Sequence, residues 1–231
     1  MSRLILVLIM LLTGCASVGS VSRPQTDFIP EPNIEDDGAL LSIAGADDGV
    51  INALLNHNLS LPRSNRIAIV KLQSGNRRRY YSSEFNEISD EIITGLIVRL
   101  RNNNRVYDAS FLPSMLLPQS RSVPVLREAA ARFQADLLLV YNENCQSYQK
   151  HRFTKSDLNK SYCQVEAVLM DTRSGIVAKT VVSLEEFESR KTGDDLNLRD
   201  AVRKAELNAI AKALGNVAKE IDEFLVNVPV L

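Results

Sequence analysis

Tryptophan is absent from the sequence, and only two histidines and three cysteines occur among its 231 residues. So few cysteines and histidines exclude a scaffold with many disulfides and make a Cys/His zinc module improbable. Lysine and arginine number 27 against 28 aspartates and glutamates, so no excess of positive charge indicates a nucleic-acid partner. The hydrophobic content of 45% is ordinary for a globular protein. The length allows one domain of ordinary size with extensions.

The longest apolar run lies at the N-terminus, where Arg3 precedes the segment Leu4–Leu12. A run of about nine residues fits the apolar part of a signal peptide and is too short to span a bilayer. It ends in Leu12-Thr13-Gly14-Cys15, which resembles the bacterial lipobox, where signal peptidase II cleaves before a cysteine whose thiol carries a diacylglycerol. We therefore predict a lipoprotein signal peptide at 1–14 and lipid attachment at Cys15. The alternative is an ordinary secretory signal with an incidental cysteine.

The residues that follow Cys15 predict where the anchor is inserted. Two acyl chains on the glycerol, with an amide-linked chain such as palmitate, give stable anchoring without a transmembrane helix. Ala16-Ser17 lacks the aspartate that retains lipoproteins in the inner membrane, so the resemblance to lipoproteins implies the outer membrane, with the head in the periplasm. Residues 15–60 are predicted to form a lipidated tether that is partly helical.

One short helix is predicted within this tether. Asp47 can cap it, and its apolar residues are expected to be buried. These residues are Val50, Ile51, Leu54 and Leu55.

The segment 61–231 is predicted to be one globular domain. Apolar runs and periodic patterns predict its first elements. These are a strand at 67–72, a helix capped by Ser82 or Ser83 that reaches Leu100, a strand at 105–109, and a helix from Ser122 to Phe133. A long amphipathic helix, capped at Asp195 or Asn197 and reaching Phe224, ends the domain. It is predicted to cover the sheet, with a coiled-coil partner helix as the alternative.

Three further strands are predicted between these helices, at 137–147, 162–171 and 176–187. The polar segment Tyr148–Ser161 is predicted to be a loop. Antiparallel pairing about its middle places one set of residues on a common face. These pairs are Cys145–Cys163, Tyr141–Ala167 and Leu139–Leu169. Pairing about the turn 172–175 predicts, for the same face, the pairs Ala178–Leu169, Val182–Val165 and Leu184–Cys163.

The resulting fold class is α+β, an α/β sandwich of order β-α-β-α-β-β-β-α with a mixed sheet covered by helices. The predicted register also bears on the thiols, because Cys145 and Cys163 remain once Cys15 is acylated. The periplasm is oxidising, so we predict a disulfide between them. The alternative is a pair of buried free thiols.

Three motifs carry a family resemblance: Ile67-Ala68-Ile69-Val70, the segment from Ala129 to Val140, and Asp171-Thr172-Arg173-Ser174-Gly175-Ile176-Val177. Together they resemble the periplasmic lipoprotein superfamily that contains the curli secretion channel CsgG, the penicillin-binding-protein activator LpoB and the TolB N-terminal domain. The resemblance implies a fold like that of an anticodon-binding domain. Gln134 stands where that superfamily usually has glycine, and Ser174 stands where it has threonine. Because the motifs describe turns, they concern fold more than function.

Candidates for catalysis are scarce. The histidines, His57 and His151, are predicted to be surface residues, and the sequence contains no zinc-protease, nucleophile-elbow or phosphate-loop motif. We therefore expect no enzymatic activity, no metal and no cofactor.

Two clusters of basic and aromatic residues are candidates for partner binding, because this composition suits anionic or protein surfaces. One is Arg77, Arg78, Arg79, Tyr80 and Tyr81, after the first strand. The other, in the predicted loop, includes Tyr148, Lys150, Arg152 and Phe153. The alternative is that both are merely solvated loops.

The sequence thus predicts a non-enzymatic lipoprotein that scaffolds or activates a cell-envelope machine, for cell-wall synthesis or for secretion and assembly. Its expected partners are the outer membrane, through the acyl chains, and an envelope protein, with peptidoglycan as a further candidate and no nucleic acid. One alternative is a subunit of an oligomeric secretion channel, although Tyr148–Ser161 is too short and too charged for membrane strands of about 9–11 residues each. An envelope hydrolase is a second alternative, which the missing motifs disfavour.

Overall fold

The computed structural model describes residues 47–72, 83–117, 122–150, 158–190 and 198–231. Its helices are α1 (Asp48–Leu55), α2 (Ser83–Arg101), α3 (Val123–Arg132) and α4 (Leu198–Asn227), with one 3-10 turn at Ser114–Leu116. Its strands are β1 (Asn65–Lys71), β2 (Val106–Phe111), β3 (Leu137–Lys150), β4 (Leu158–Asp171) and β5 (Val177–Arg190). After α1, the order is the predicted β-α-β-α-β-β-β-α, and the α+β fold class is confirmed.

The five strands form one mixed sheet of order β2-β1-β3-β4-β5. β1 is parallel to both β2 and β3, since a helical crossover follows β1 and another follows β2. β3, β4 and β5 form an antiparallel meander. In the described ranges, none of the helices is both long and apolar enough to cross a bilayer.

The core has two layers, one on each side of the sheet. The larger layer packs α2 and α4 against inner residues of the strands, such as Ile67, Leu139 and Leu169. The smaller layer packs α3 against Val70 and Leu138 on the opposite side. Helices therefore cover both sides of the central strands, as in other α/β sandwiches.

The predicted register of the first hairpin is confirmed. β3 and β4 pair without a shift from Leu137–Asp171 to Lys150–Leu158. All three predicted pairs occur: Leu139–Leu169, Tyr141–Ala167 and Cys145–Cys163.

The predicted register of the second hairpin is wrong by one residue. Val165 pairs with Ser183 rather than with Val182, and the other two predicted pairs are displaced in the same way. The cause is an irregularity between Leu169 and Met170, where β5 gains one residue relative to β4. A displacement of one residue moves every side chain of a strand to the other face.

The consequence is visible on β5. Val181 and Ser183 are buried on the inner face. Val182 and Leu184, which the sequence predicted to face inward, are 67% and 55% exposed. β5 therefore presents apolar side chains to solvent.

The predicted loop Tyr148–Ser161 is also shorter than expected. β3 continues to Lys150 and β4 begins at Leu158, so paired strands replace seven of the fourteen residues, and 151–157 lie outside the described residues. Polar side chains misled the prediction, because an extended hairpin tolerates them wherever a face meets water.

Helix α1 forms as predicted, and the Asp47 carboxylate accepts a hydrogen bond of 2.8 Å from the Val50 amide. Its predicted burial is wrong. Val50, Ile51, Leu54 and Leu55 are 43–78% exposed, and no residue of α1 is buried.

Two turns explain the motifs behind the family resemblance. Gln134 has a positive φ of 56°, so it adopts the left-handed conformation that glycine favours after a helix. Gly175 has φ 77°, and the Asp171 carboxylate accepts a hydrogen bond of 2.8 Å from the Ser174 amide in the same turn.

At the start of α3, Ser122 occupies the predicted cap position, but its side chain makes no capping hydrogen bond.

A set of contacts that we call the clasp joins the start of the domain to its C-terminus. The Leu61 amide donates to the Pro229 carbonyl (3.0 Å), and the Leu231 amide donates to the Leu61 carbonyl (2.9 Å). The Arg105 guanidinium donates to the Val228 carbonyl, just beyond α4, at 2.6 Å. Because Arg105 also donates to Leu61 at 3.3 Å, the clasp fixes the chain where it leads into the sheet.

Candidate functional site

The meander has an inner face covered by α4 and an outer face that α3 covers only near the start of β3. Beyond this cover, the outward residues form four rows, each with one residue from β3, β4 and β5. We call the surface made by these rows the outer face: Asn142–Glu166–Val182, Asn144–Gln164–Leu184, Gln146–Tyr162–Glu186 and Tyr148–Lys160–Glu188.

The chemical character of the outer face changes from one strand to the next. Its β3 side carries amides and one tyrosine, whereas its β5 side carries Val182, Leu184 and two glutamates. Exposed apolar groups beside aromatic and amide side chains are typical of surfaces that bind other proteins. The outer face is therefore the candidate functional site.

Lys160 is the electrostatic centre of this surface. Its ammonium lies 2.8 Å from a carboxylate oxygen of Glu186, 3.7 Å from one of Glu188 and 5.0 Å from the centre of the Tyr162 ring. The hydrogen bond to Glu186, followed by that to Tyr162, raises the pKa of Lys160 above its usual range. Lys160 is therefore held as a cation between the β5 carboxylates and an aromatic ring.

Tyr148 is the predicted partner-binding residue that the structure places on the outer face. It is 49% exposed, and its ring meets the edge of the Tyr162 ring with centroids 6.1 Å apart. The sequence prediction missed Tyr162 and Lys160 as members of this site. The correct β3–β4 register, extended two rows further, would have found them, since it pairs Tyr148 with Lys160.

The other residues predicted to bind partners are not assembled at this site by the described structure. Lys150 ends β3, and only its backbone is described. The rest lie outside the described residues: Arg77, Arg78, Arg79, Tyr80, Tyr81, Arg152 and Phe153. Cys15, the predicted lipid-attachment residue, lies outside them as well.

A disulfide lies on the inner face beneath these rows. Cys145 and Cys163 are joined with an S–S distance of 2.06 Å, directly opposite each other on β3 and β4. The sulfur of Cys163 lies 3.5 Å from the Glu206 carbonyl oxygen of α4. The crosslink therefore holds together the two strands that carry Tyr148 and Tyr162.

The inner face becomes polar beyond the disulfide. The hydroxyls of Ser147 and Ser161 lie 2.9 Å apart, and Ser147 donates to a carboxylate oxygen of Glu206 at 2.9 Å. Arg203 pairs with the other oxygen of the same carboxylate at 3.0 Å. Asn159 is fully buried here, and its side-chain amide has no hydrogen-bond partner among the residues that the structure describes. The first half of α4 thus packs on the sheet through polar contacts as well as apolar ones.

Neighbouring side chains engage the charged groups of the outer face. Lys160 pairs with Glu186 and Glu188, and the Glu166 carboxylate accepts a hydrogen bond of 2.6 Å from the side-chain amide of Gln164. His57, the one histidine in the described ranges, is exposed in the turn after α1. The described residues include no group of three or more His, Cys, Asp or Glu side chains that could hold a metal ion.

Comparison with known proteins gives no match to a protein family and none to a curated protein. Solved structures with a similar chain path include the rare lipoprotein B from Shewanella oneidensis, at 12% identity and a TM-score of 0.35, covering 71% of this chain and 98% of that one. A minor lipoprotein from Acinetobacter baumannii has 11% identity, a TM-score of 0.35, and coverage of 71% and 96%. The PelC dodecamer from Paraburkholderia phytofirmans has 13% identity, a TM-score of 0.33, and coverage of 70% and 92%. At these values the similarities assign neither a family nor a function to this chain.

Proposed function

We propose that this chain is a lipoprotein of the bacterial outer membrane whose periplasmic head is a non-enzymatic binding module. The head would scaffold or activate a cell-envelope machine, one for cell-wall synthesis or for secretion and assembly. The lipobox sequence ending in Cys15 supports the anchor. The resemblance of the turn motifs to the superfamily of CsgG, LpoB and TolB supports the envelope context.

One structural observation carries the binding role, namely that none of the described helices covers the outer face. Val182 and Leu184 are more than half exposed although they lie in a regular strand. From the inner side, the disulfide joins β3 to β4, and α4 packs against β5 through residues such as Val181. A partner that covers the outer face would remove apolar area from water, at roughly 25 cal/mol per Å². Its binding would be oriented by the Lys160–Glu186 ion pair and the two tyrosines.

Site-specific photocrosslinking in living cells tests this proposal. A photoreactive amino acid at Leu184 or Tyr148 should give adducts with one envelope protein. The same amino acid at Glu223, an exposed position on α4, is the matched control and should not give that adduct.

A genetic experiment supplies the functional readout. Leu184→Arg should abolish the adduct and reproduce the phenotype of a deletion strain, while the protein level and the membrane fraction stay as in wild type. Cys15→Ala should leave the head folded and release it from the membrane. Equal adducts from Leu184 and Glu223, or full complementation by Leu184→Arg, would reject the outer face as the binding surface. Turnover of a cell-wall substrate by the pure head would reject a non-enzymatic role.

A further inference from the structure

Helix α1 has a feature that neither the fold nor the outer face explains. It is N-capped by Asp47, yet its four large apolar side chains, from Val50 to Leu55, face solvent. A helix of eight residues is marginal in water on its own, because the cost of nucleating a helix outweighs so few hydrogen bonds. Proteins usually gain helix stability by covering such an apolar face.

The sequence around α1 indicates what kind of surface covers it. The segment from Gly49 to Pro62 contains no Asp, Glu, Lys or Arg, although 24% of the chain is charged. At that frequency, a segment of this length would carry about three charged residues. Charged side chains make it costly to move a helix out of water. Because this segment has none, covering its apolar face would remove no charged group of the segment from water. The helix is therefore suited to an apolar or interfacial environment.

The position of α1 in the chain identifies the surface. Segment 16–46 separates α1 from Cys15, the proposed lipid-attachment residue. At about 3.3 Å per residue, a segment of about 30 residues spans at most about 100 Å, so the anchor confines α1 to within that distance of the membrane. The anchor raises the effective concentration of α1 at the lipid surface, which lets a short helix bind where it would not bind alone.

We propose that α1 is a membrane-interface helix, whose apolar face of Val50, Ile51, Leu54 and Leu55 lies in the same lipid surface that holds the acylated Cys15. This inference rests on the lipid anchor of the proposed function. Apolar faces of interfacial helices enter the boundary between headgroups and acyl chains by about 5–10 Å. The first turn, with Asp47 and Asp48, would remain at the headgroup level.

Docking of α1 would also orient the head. Only residues 56–60 lie between α1 and Leu61 in the clasp, so the clasp would stay within about 20 Å of the membrane. α4 extends away from the clasp for 30 residues, about 45 Å. Near the other end of α4, the Ala201 carbonyl accepts a hydrogen bond of 2.7 Å from Ser189 of β5. The far rows of the outer face would therefore point into the periplasm.

The absence of tryptophan permits a direct test in the full-length, acylated protein. Leu54→Trp places a single fluorophore on the apolar face of α1, and Leu184→Trp is the matched control on the outer face. Both variants are reconstituted into vesicles of phosphatidylethanolamine and phosphatidylglycerol, with or without brominated acyl chains. We expect the emission of Trp at 54 to shift to the blue and to lose about half of its intensity to bromine, whereas Trp at 184 should lose less than about a tenth.

A second pair of variants tests whether the helix itself is needed. In the Leu54→Trp protein, Asp47→Ala removes the cap, and Asp47→Ser keeps a capping oxygen. Asp47→Ala should weaken the partition of α1 into the vesicle by up to about fivefold, and Asp47→Ser should change it little.

Flotation of the protein with the vesicles separates failure of the inference from failure of the anchor. If the protein floats and Trp at 54 is not quenched, the membrane role of α1 is wrong and the lipid anchor stands. If Trp at 54 is already blue-shifted without vesicles, α1 packs on protein, for example in the groove between α2 and α4 lined by Ile92 and Leu214, and the inference is overturned. If the acylated protein does not float, the anchor fails and this inference fails with it.

Discussion

The two antiparallel ladders of the meander share β4 but differ in regularity. β3 and β4 keep one register throughout, whereas β5 shifts by one residue against β4 at Leu169 and Met170. The inward residues of β3 and β4 are apolar over the core, and the outward ones become polar beyond it. On β5, both Val181 and Val182 are apolar, so the pattern permits either register. An apolar pattern determines a register only when one of the two faces is polar.

The strongest test of this difference compares two leucines of the meander. Leu169→Ala removes a buried side chain from the inner face of β4 and should lower the free energy of unfolding by about 2–5 kcal/mol. Leu184→Ala lies on the outer face of β5 and should change it by less than about 0.5 kcal/mol. Urea unfolding followed by circular dichroism measures both.

The unshifted register would place Leu184 beside Cys163 in the core. In that case Leu184→Ala would cost as much as Leu169→Ala, and equal losses would contradict the structure. Val182→Ala provides a second exposed position and should behave as Leu184→Ala does.

The same difference explains what the sequence could predict of the fold. The order of helices and strands follows from local periodicity, and the Cys145–Cys163 pairing follows from apolar residues on a common face. The shift on β5 does not follow, because the added residue near Leu169 leaves no mark in the apolar pattern. The exposure of α1 does not follow either. Periodicity shows that Leu54 and Leu55 share a face of the helix, but it does not show which surface covers that face.

The candidate site could be predicted only in part, because the polar ends of β3 and β4 have the composition of a loop. The basic and aromatic composition around Tyr148 indicates a binding residue, whereas the sequence pattern places Lys160 in a loop and Tyr162 in a strand and indicates no role for either. Polar residues at the ends of β3 and β4 meet water on the outer face and a hydrogen-bonded layer on the inner face. Composition alone does not distinguish such a hairpin from a loop.

The disulfide joins β3 to β4 and does not reach β5. Reduction should therefore destabilise the β3–β4 ladder more than the β4–β5 ladder. Closing a loop with the observed sequence separation of 18 residues contributes about 3 kcal/mol in the chain-entropy model. Reduced protein should lose about that amount in urea unfolding. Hydrogen exchange should then rise in β3 near Cys145 more than in β5.

A variant with alanine at both cysteines serves as the control, because reductant should not change its stability. If reduction leaves the oxidised protein unchanged as well, the disulfide does not contribute to the stability of the hairpin. Equal increases in exchange in β3 and β5 would show that the meander opens as one unit.

Gly175 tests the turn that leads into the shifted ladder. Its φ of 77° is unfavourable for other residues, and an added β-carbon would lie 2.8 Å from the Arg127 guanidinium. Gly175→Ala should therefore lower the free energy of unfolding by about 1–2 kcal/mol. Combining it with Arg127→Ala in a double-mutant cycle separates the contact from the backbone strain. A coupling near zero would assign the whole loss to the backbone.

The smallest effect is expected at Lys160, whose ion pairs join β4 and β5 on the outer face. The hydrogen bond to Glu186 and the contact with Tyr162 raise the pKa of Lys160 in the folded state. Its contribution is therefore fully present below the pKa of an unfolded lysine, about 10.4, and is lost only as the pH rises through the folded pKa. Lys160→Gln should lower the urea midpoint slightly at low salt, by the same amount from about pH 6 to 9, and not at all in about 0.5 M salt. A large loss that persists in salt would show that this pair stabilises the second ladder as the disulfide stabilises the first.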